Sequence, residues 1–554
     1  MVFGVSRNST YRANTVSHAA LALDSDLRNS VIEAFSSPSP DDIVLSAQEQ
    51  GFSNLEKKLG GLAMNDQIKK PVASPLPKST SSAPLKYNIS SELVQTKKPS
   101  LSFVVIGHVD AGKSTLMGRL LYDVGAVDKH IIDKYAKESG NVGKGSFALA
   151  WVMDQTEEER NRGVTIDIAV STFYSNGIQF TIVDAPGHRD FVPNMIAGSS
   201  QADVAVLVVD SATNAFESGF SLDGQTKEHA ILVRSLGVDR ILVAVNKLDT
   251  VDWSFDRFEE IRIQLTEFLT KVVGFQLSKI TFIPVSGLNG DNVVNNKSDV
   301  SWYSSKKTIL SELESIAINE KSYSLKKDHE KDFRMIIANF YAVPHTSDVA
   351  VQGKIDSGSV QIGQLLKVIP SGMVTQVRSI SPIGEDSSTN KSESKREWAI
   401  AGDNILLSVP ATSIDLDKVS VGDVLANQDS NIESVHKFTS RIVVFDVARP
   451  LLPGTKVLLH RGRTNEPCKI SRLVSILDKS TGTPIKKKPR FLSSGQTATV
   501  DIELEGDQTI PLDTFSNSKE LGRFVLRKGG STIAAGVVDS LISSKENTPS
   551  TVPA

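Results

Sequence analysis

Lys113 and Ser114 end the octapeptide Gly107-His108-Val109-Asp110-Ala111-Gly112-Lys113-Ser114, which fits the spacing G-x-x-x-x-G-K-[ST]. It follows an apolar run at 103–106 and precedes a helical pattern at 115–122, the strand–loop–helix setting that the spacing requires. Glycines there let backbone N–H groups approach phosphate oxygens, and the start of the helix adds a favourable dipole. Lys113 is expected to reach the β- and γ-phosphates, and the Ser114 hydroxyl to meet Mg²⁺. Asp110, Ala111, Gly112 and Thr115 complete the expected phosphate loop. Alone, the octapeptide specifies a phosphate-binding nucleotide site and leaves the base open.

Three later segments address the base and the hydrolysis. Asp184-Ala185-Pro186-Gly187 ends the run 178–183, where an acid can hold the Mg²⁺ shell and the Gly187 N–H can sense a γ-phosphate. Asn246-Lys247-Leu248-Asp249 follows the run 241–245. Asp249 can accept a pair of hydrogen bonds from guanine N1–H and the 2-amino group, which adenine cannot supply. Ser286-Gly287-Leu288 follows the run 281–285 and can close over the base through backbone N–H groups. Four segments in this order, each at the carboxyl end of a strand, point to GTP bound and hydrolysed to GDP.

Thr165 lies in Arg162-Gly163-Val164-Thr165-Ile166, between the phosphate loop and Asp184. By itself it reads as an ordinary strand threonine. Its place in the order makes it the switch threonine that completes the Mg²⁺ shell with Ser114 and Asp184 and loosens after hydrolysis. His188 follows Gly187 and is placed to reach a water near the γ-phosphate, although a histidine is more often structural. Val109 and Val164 could form an apolar gate in front of it. The expected catalytic set is therefore His188, Thr165 and Lys113. With no arginine placed as a finger, slow intrinsic hydrolysis with external activation is expected.

These residues need a scaffold. Apolar runs at 103–106, 178–183, 204–209, 241–245 and 281–285 alternate with helical patterns such as 223–236 and 255–272. That alternation predicts an α/β domain, a mostly parallel sheet with helices on both faces. After about residue 332 the pattern turns to short runs at 333–341, 364–369, 404–409, 440–447, 455–460 and 497–504, broken by Gly, Pro and Ser. It predicts two all-β barrels of about 100 residues each. The 554 residues are 40% apolar and 23% charged with a net charge of -3, so nucleic-acid contact must come from local patches. One cysteine, Cys468, excludes an internal disulfide, and no run suits a membrane span. A soluble, cytoplasmic protein is expected.

The first hundred residues differ. Residues 69–98 are rich in Pro, Ser and Lys and read as a flexible linker. Ahead of it, Ser39-Pro40-Asp41-Asp42 resembles a helix start, with Ile43, Val44 and Ala47 at helical spacing and Gly51 at the end. A second apolar group is formed by Leu27, Val31, Ile32 and Phe35. This is either a small helical module or a partly ordered tail. The expected domains are a helical module at 1–60, a linker at 61–99, a GTPase domain at 100–328, barrels at 329–433 and 434–545, and a tail at 546–554.

The phrases GHVDAGKSTLMGRLLYDVG, KGSFALAWVMDQTEEERNRGVTIDIA, TIVDAPGHRDFVPNMI and GRFVLRKGGSTIAAGVV resemble the elongation factor Tu and elongation factor 1-alpha superfamily. The resemblance covers about residues 101–540 and implies a GTPase domain followed by two β-barrels. It assigns functional motif positions to Asp110, Lys113, Ser114, Thr165, Asp184, His188, Asn246, Lys247 and Asp249. It also implies a ribosomal partner, whose sarcin–ricin loop promotes the action of the histidine.

Within the superfamily, the extension before Leu101 sets the chain apart from the aminoacyl-tRNA carriers. Residues 39–48 with Gly51-Phe52, then 151–156, 214–220, 449–455 and 485–490, resemble the heat-shock subfamily B suppressor-like (HBS-like) GTPases. That branch implies a Pelota-type partner bound as a heterodimer and delivered to the empty A site of stalled ribosomes. No-go and non-stop mRNA decay would follow. A release-factor GTPase, or an inactive scaffold linking ribosomes to the mRNA decay machinery, is the alternative. The basic stretch 485–490 reads either as a solvated loop or as a contact for ribosomal RNA or the partner.

Overall fold

In the computed structural model, the described residues are 99–542 apart from 142–146, 155, 163–164, 166, 222–224, 297–299, 329, 344–345, 384–395, 448, 479–480 and 507. The expected N-terminal module, the linker as far as residue 98, Val164 and the tail lie outside them.

The first part is built on six strands: β1 (Ser100–Ile106), β2 (Ala169–Ser175), β3 (Ile178–Asp184), β4 (Val204–Asp210), β5 (Ile241–Asn246) and β6 (Ile280–Pro284). They lie in the order β2-β3-β1-β4-β5-β6. β1, β3, β4, β5 and β6 run parallel, and β2 is an antiparallel edge. The central strands are buried along nearly their whole length, so they read as continuous apolar runs. Successive side chains of β1 face opposite ways. Phe103 and Val105 pack with Leu116, Met117 and Leu120 of α1 (Lys113–Asp123). Val104 and Ile106 pack on the other face with Met195 and Ile196, which lie in the helix Val192–Ser199. The sequence reading had no strand at β2. Its signal was the two-residue turn Asn176-Gly177, whose φ values of 48° and 77° suit a tight hairpin.

Nine strands follow: β7 (Arg334–Ala342), β8 (Asp348–Ser357), β9 (Ser359–Gln361), β10 (Leu365–Ile369), β11 (Val374–Gln376), β12 (Ser379–Pro382), β13 (Trp398–Ile400), β14 (Asn404–Pro410) and β15 (Val424–Asn427). Seven of them form one sheet in the order β11-β10-β15-β7-β8-β14-β12, and β9 pairs with β13. No backbone ladder joins the two ends of this sheet among the described residues, so it is a half-barrel rather than the closed barrel expected. The two edge strands, β11 and β12, are successive in the chain, so the ends of the sheet are joined by the chain itself and not by a ladder. The chain swings from one edge to the other through Val377, which pairs with Gln364, and Arg378, which donates to Ser408.

The last nine are β16 (Glu433–Val435), β17 (Lys437–Val444), β18 (Lys456–Arg461), β19 (Thr464–Leu477), β20 (Pro484–Lys487), β21 (Thr497–Leu504), β22 (Ile510–Leu512), β23 (Arg523–Lys528) and β24 (Ser531–Ile542). The sequence β18-β23-β24-β17-β21-β19 returns to β18, closing a six-stranded barrel. β20 hangs outside it on β19 and is exposed throughout, and it carries Ile485, Lys486 and Lys487 of the basic stretch 485–490. Among the described residues, no helix is long and apolar enough to cross a membrane.

Candidate nucleotide site

Gly107 leaves β1 with φ 144°, and a Cβ there would strike the carbonyl oxygen of Val208 on β4. Asp110 and Gly112 take φ values of 61° and 89°, so the loop turns sharply before α1 begins. No side chain caps α1, which leaves its first N–H groups facing the cleft.

Lys113 is buried, and its Nζ donates to the carbonyl oxygens of Gly107 (3.1 Å) and His108 (2.8 Å). Burial pushes its ammonium down to about 8, against the pull of Asp184 and Asp110. Gly187 lies against this ammonium, for a Cβ on it would collide with Nζ. Asp184 is fully buried at the end of β3 and accepts the Ser114 hydroxyl at 2.9 Å on Oδ2. Burial lifts its carboxyl to about 6, while Lys113 and Ser114 hold it down. The Thr165 hydroxyl lies 3.1 Å from that of Ser114.

Asp184 Oδ1 is buried with no hydrogen-bond partner. An orphaned carboxylate oxygen beside two hydroxyl oxygens is a hard, all-oxygen donor set, and it fits Mg²⁺. Asp154 adds a second acid. It lines the same cleft, its Oδ1 is also buried without a partner, and burial, with Asp184 and Glu159 nearby, lifts it to about 7.

At the far end, Asn246 works as a strap. Its Nδ2 donates to the Ala111 carbonyl and its Oδ1 accepts the Gly287 N–H, both at 2.9 Å. Lys247 Nζ donates to the Asp110 carbonyl at 2.8 Å and pairs with Asp210 at 2.7 Å. Asp249 keeps its carboxylate at the cleft, with Asn289 Nδ2 3.4 Å from Oδ2. The Ser286 hydroxyl accepts the Asn289 N–H at 3.3 Å, and the Leu288 carbonyl accepts Arg119 at 3.2 Å.

Asp110, Gly112, Lys113, Ser114, Thr115, Thr165, Gly187, His188, Asn246, Lys247, Asp249, Ser286, Gly287 and Leu288 line one cleft of 410 Å³. Ala111 and Asp184 sit directly behind it, buried. Val109 lines the same cleft beside His188, while Val164, the other half of the expected gate, is outside the described residues. His188 is half-exposed, and its Nδ1 accepts the Asp190 N–H at 3.3 Å.

Sequence reasoning missed Asp154, Asp210 and His229. Asp210 ends β4, so the strand-end rule that found Asp184 could have found it. His229 lies beneath the phosphate loop, where its Nδ1 accepts the Gly107 N–H at 3.3 Å. No local spacing marks Asp154 or His229.

Comparison with known proteins places this geometry. Residues 98–366 match the sequence family described as "Elongation factor Tu GTP binding domain", and residues 437–539 match "GTP-eEF1A C-terminal domain-like". Protein HBS1 of Drosophila melanogaster is 41% identical over 80% of this chain and 64% of its own length. The chain therefore spans just under two thirds of that relative. The elongation factor 1 alpha-like protein of Schizosaccharomyces pombe is 40% identical over 80% of the chain and 70% of its own length. Elongation factor 1-alpha of Plasmodium falciparum is 36% identical over 80% and 96%. Among solved structures, the Saccharomyces cerevisiae Ski7 GTPase-like domain bound to GTP covers 81% of this chain and 98% of its own, with TM-score 0.67 and 22% identity. That likeness speaks for the fold alone.

Proposed function

As the chain belongs to the elongation factor Tu and elongation factor 1-alpha family of translational GTPases, we propose that it is a GTP switch of ribosome rescue. In this reading it carries a Pelota-type, tRNA-shaped protein to the empty A site of a stalled ribosome. GTP hydrolysis then releases it, and the partner settles and leads to no-go or non-stop mRNA decay. The observation that carries the hydrolytic part is the meeting of Lys113, Thr165, Gly187, His188 and Asp249 in one cleft. The higher identity to Protein HBS1 than to elongation factor 1-alpha supports the rescue branch.

The residues divide the work. Lys113 and the uncapped start of α1 bind the phosphates, and the Asp249 carboxylate reads the guanine edge. Ser114, Thr165 and Asp184 would hold Mg²⁺, with Asp154 facing the same space; the ion, when bound, supplies positive charge to the phosphate oxygens. His188 accepts the Asp190 N–H on Nδ1, which leaves Nε2 as the ring nitrogen that would meet a water. A ring held in this way can orient a water by a hydrogen bond, which suits a reaction governed by positioning. The exposure of His188 leaves it free for a ribosomal element to move. In this reading the protein acts in the cytoplasm, as one half of a heterodimer.

The test is selective retention. Immobilised full-length protein loaded with a non-hydrolysable GTP analogue should hold a Pelota-type protein, and neither a peptide-release factor nor charged tRNA. Retention of the release factor or the tRNA instead would contradict the rescue reading.

A further inference from the structure

Glu159 lies in α3 (Glu157–Arg162), taking α2 as Lys129–Asn141, and is 5% exposed. Its carboxylate serves two separate stretches of chain. Oε2 accepts the Thr156 N–H at 3.1 Å and the Thr156 hydroxyl at 3.0 Å. Thr156 Oγ1 accepts the Glu159 N–H in return, at 3.2 Å. That reciprocal pair is the capping box that starts a helix. A cap needs no more than Oε2. Oε1 instead accepts the N–H of Asp167 at 3.3 Å, eight residues further along the chain. A single carboxylate thus pins both ends of the segment that carries Thr165.

The helix that holds Glu159 is itself anchored. Arg160 Nε donates to the Asp154 carbonyl at 3.0 Å, and its guanidinium lies 4.9 Å from the centre of the Tyr135 ring and 5.7 Å from that of Trp151. Thr165, close to Asp167 in sequence, is buried with its hydroxyl against Ser114. The bond to Asp167 is therefore the link from an anchored helix to the threonine at the phosphate end of the cleft.

We propose that Glu159 is a positioning residue of the switch: its bond to Asp167 sets the reach of Thr165, so that the segment holds the triphosphate in preference to the diphosphate. This rests on the reading of Thr165 as the switch threonine. Glu159 touches neither nucleotide nor water in this role. It acts through Thr165.

The experiment compares equilibrium affinities of the full chain, with Mg²⁺, for GDP and for a non-hydrolysable GTP analogue. Glu159→Ala removes the carboxylate's two bonds from Thr156 and its bond from Asp167 together, and Glu159→Asp is a milder variant that keeps the charge but shortens the reach by one methylene. Thr156→Ala removes the hydroxyl bonds of the cap and leaves the Asp167 bond, and Thr165→Ala reports the switch threonine itself. Glu159→Ala, Glu159→Asp and Thr165→Ala are expected to weaken the analogue by about tenfold, the worth of one buried hydrogen bond, and GDP by less than about twofold. Thr156→Ala is expected to leave the ratio of the two affinities unchanged. The inference is overturned if Glu159→Asp and Glu159→Ala lower both affinities equally, or leave the ratio intact while Thr165→Ala changes it. If Thr165→Ala also leaves the ratio intact, the switch reading beneath it falls as well.

Discussion

The hydroxyl oxygens of Ser114 and Thr165 lie 3.1 Å apart although 51 residues separate them in sequence. Ser114 also donates to Asp184 Oδ2, so three oxygen-bearing side chains from three segments converge beside the orphaned Asp184 Oδ1.

That convergence predicts how Mg²⁺ demand should change. Ser114→Ala and Thr165→Ala each remove one donor. Each should raise the free Mg²⁺ needed to retain a GTP analogue by about tenfold or more. With GDP, Ser114→Ala should keep its effect and Thr165→Ala should lose it. Release rates of a fluorescent nucleotide across a Mg²⁺ titration read this directly, and identical curves for the two nucleotides in Thr165→Ala would contradict it.

Asn246 and Asp249 lie in one short motif but should fail differently. Asn246 joins Ala111 to Gly287 inside the protein, so Asn246→Ala leaves a buried carbonyl and a buried N–H without partners. The cost should be about 1–3 kcal/mol for each, visible as a lower melting temperature before any nucleotide is added. Asp249 is partly exposed at the cleft, so Asp249→Ala should melt close to the parent. It should instead lose discrimination between GTP and ATP in competition binding. Equal melting losses in the two variants would argue against this division.

His229 predicts an acid-sensitive foundation to the phosphate loop. It is fully buried and accepts the Gly107 N–H, and burial first, then the charges of Lys113 and His108, push it down to about 3. The unfolded chain takes up its proton near the ordinary value of 6.5, and the folded protein does so only near 3. The stability it lends is therefore complete above 6.5 and lost as pH falls through that window, by at most about 1.4 kcal/mol per pH unit. Urea midpoints at about pH 7 and about pH 5 should differ less in His229→Gln than in the parent. An unchanged difference would show that His229 does not drive the acid limb.

The nucleotide cleft was the most legible part of this molecule. Gly107, Gly112 and Gly187 each sit where a Cβ would strike a neighbour, and each adjoins chemistry with a fixed spacing. The parallel core was legible because strands buried on both faces leave uninterrupted apolar runs. Asp154 and His229 were not, because they reach the site through tertiary packing and carry no spacing of their own. Asn246 and Lys247 were legible as motif positions of the cleft, but not the bonds by which their polar atoms hold Ala111, Gly287, Asp110 and Asp210. Alternation marked the strands of the β region but not how its ends meet. The passage through Val377 and Arg378, from one edge of the half-barrel to the other, has no glycine or proline to announce it.

The reading as an active switch rests on His188 beside Gly187 at the mouth of the cleft. Single-turnover GTP hydrolysis by the full chain with a Pelota-type protein added, with and without ribosomes, tests it most directly. Ribosomes should accelerate the parent strongly. His188→Ala should lose that acceleration by about a hundredfold or more while keeping its GTP affinity. No acceleration of the parent, or equal acceleration of His188→Ala, would contradict the account.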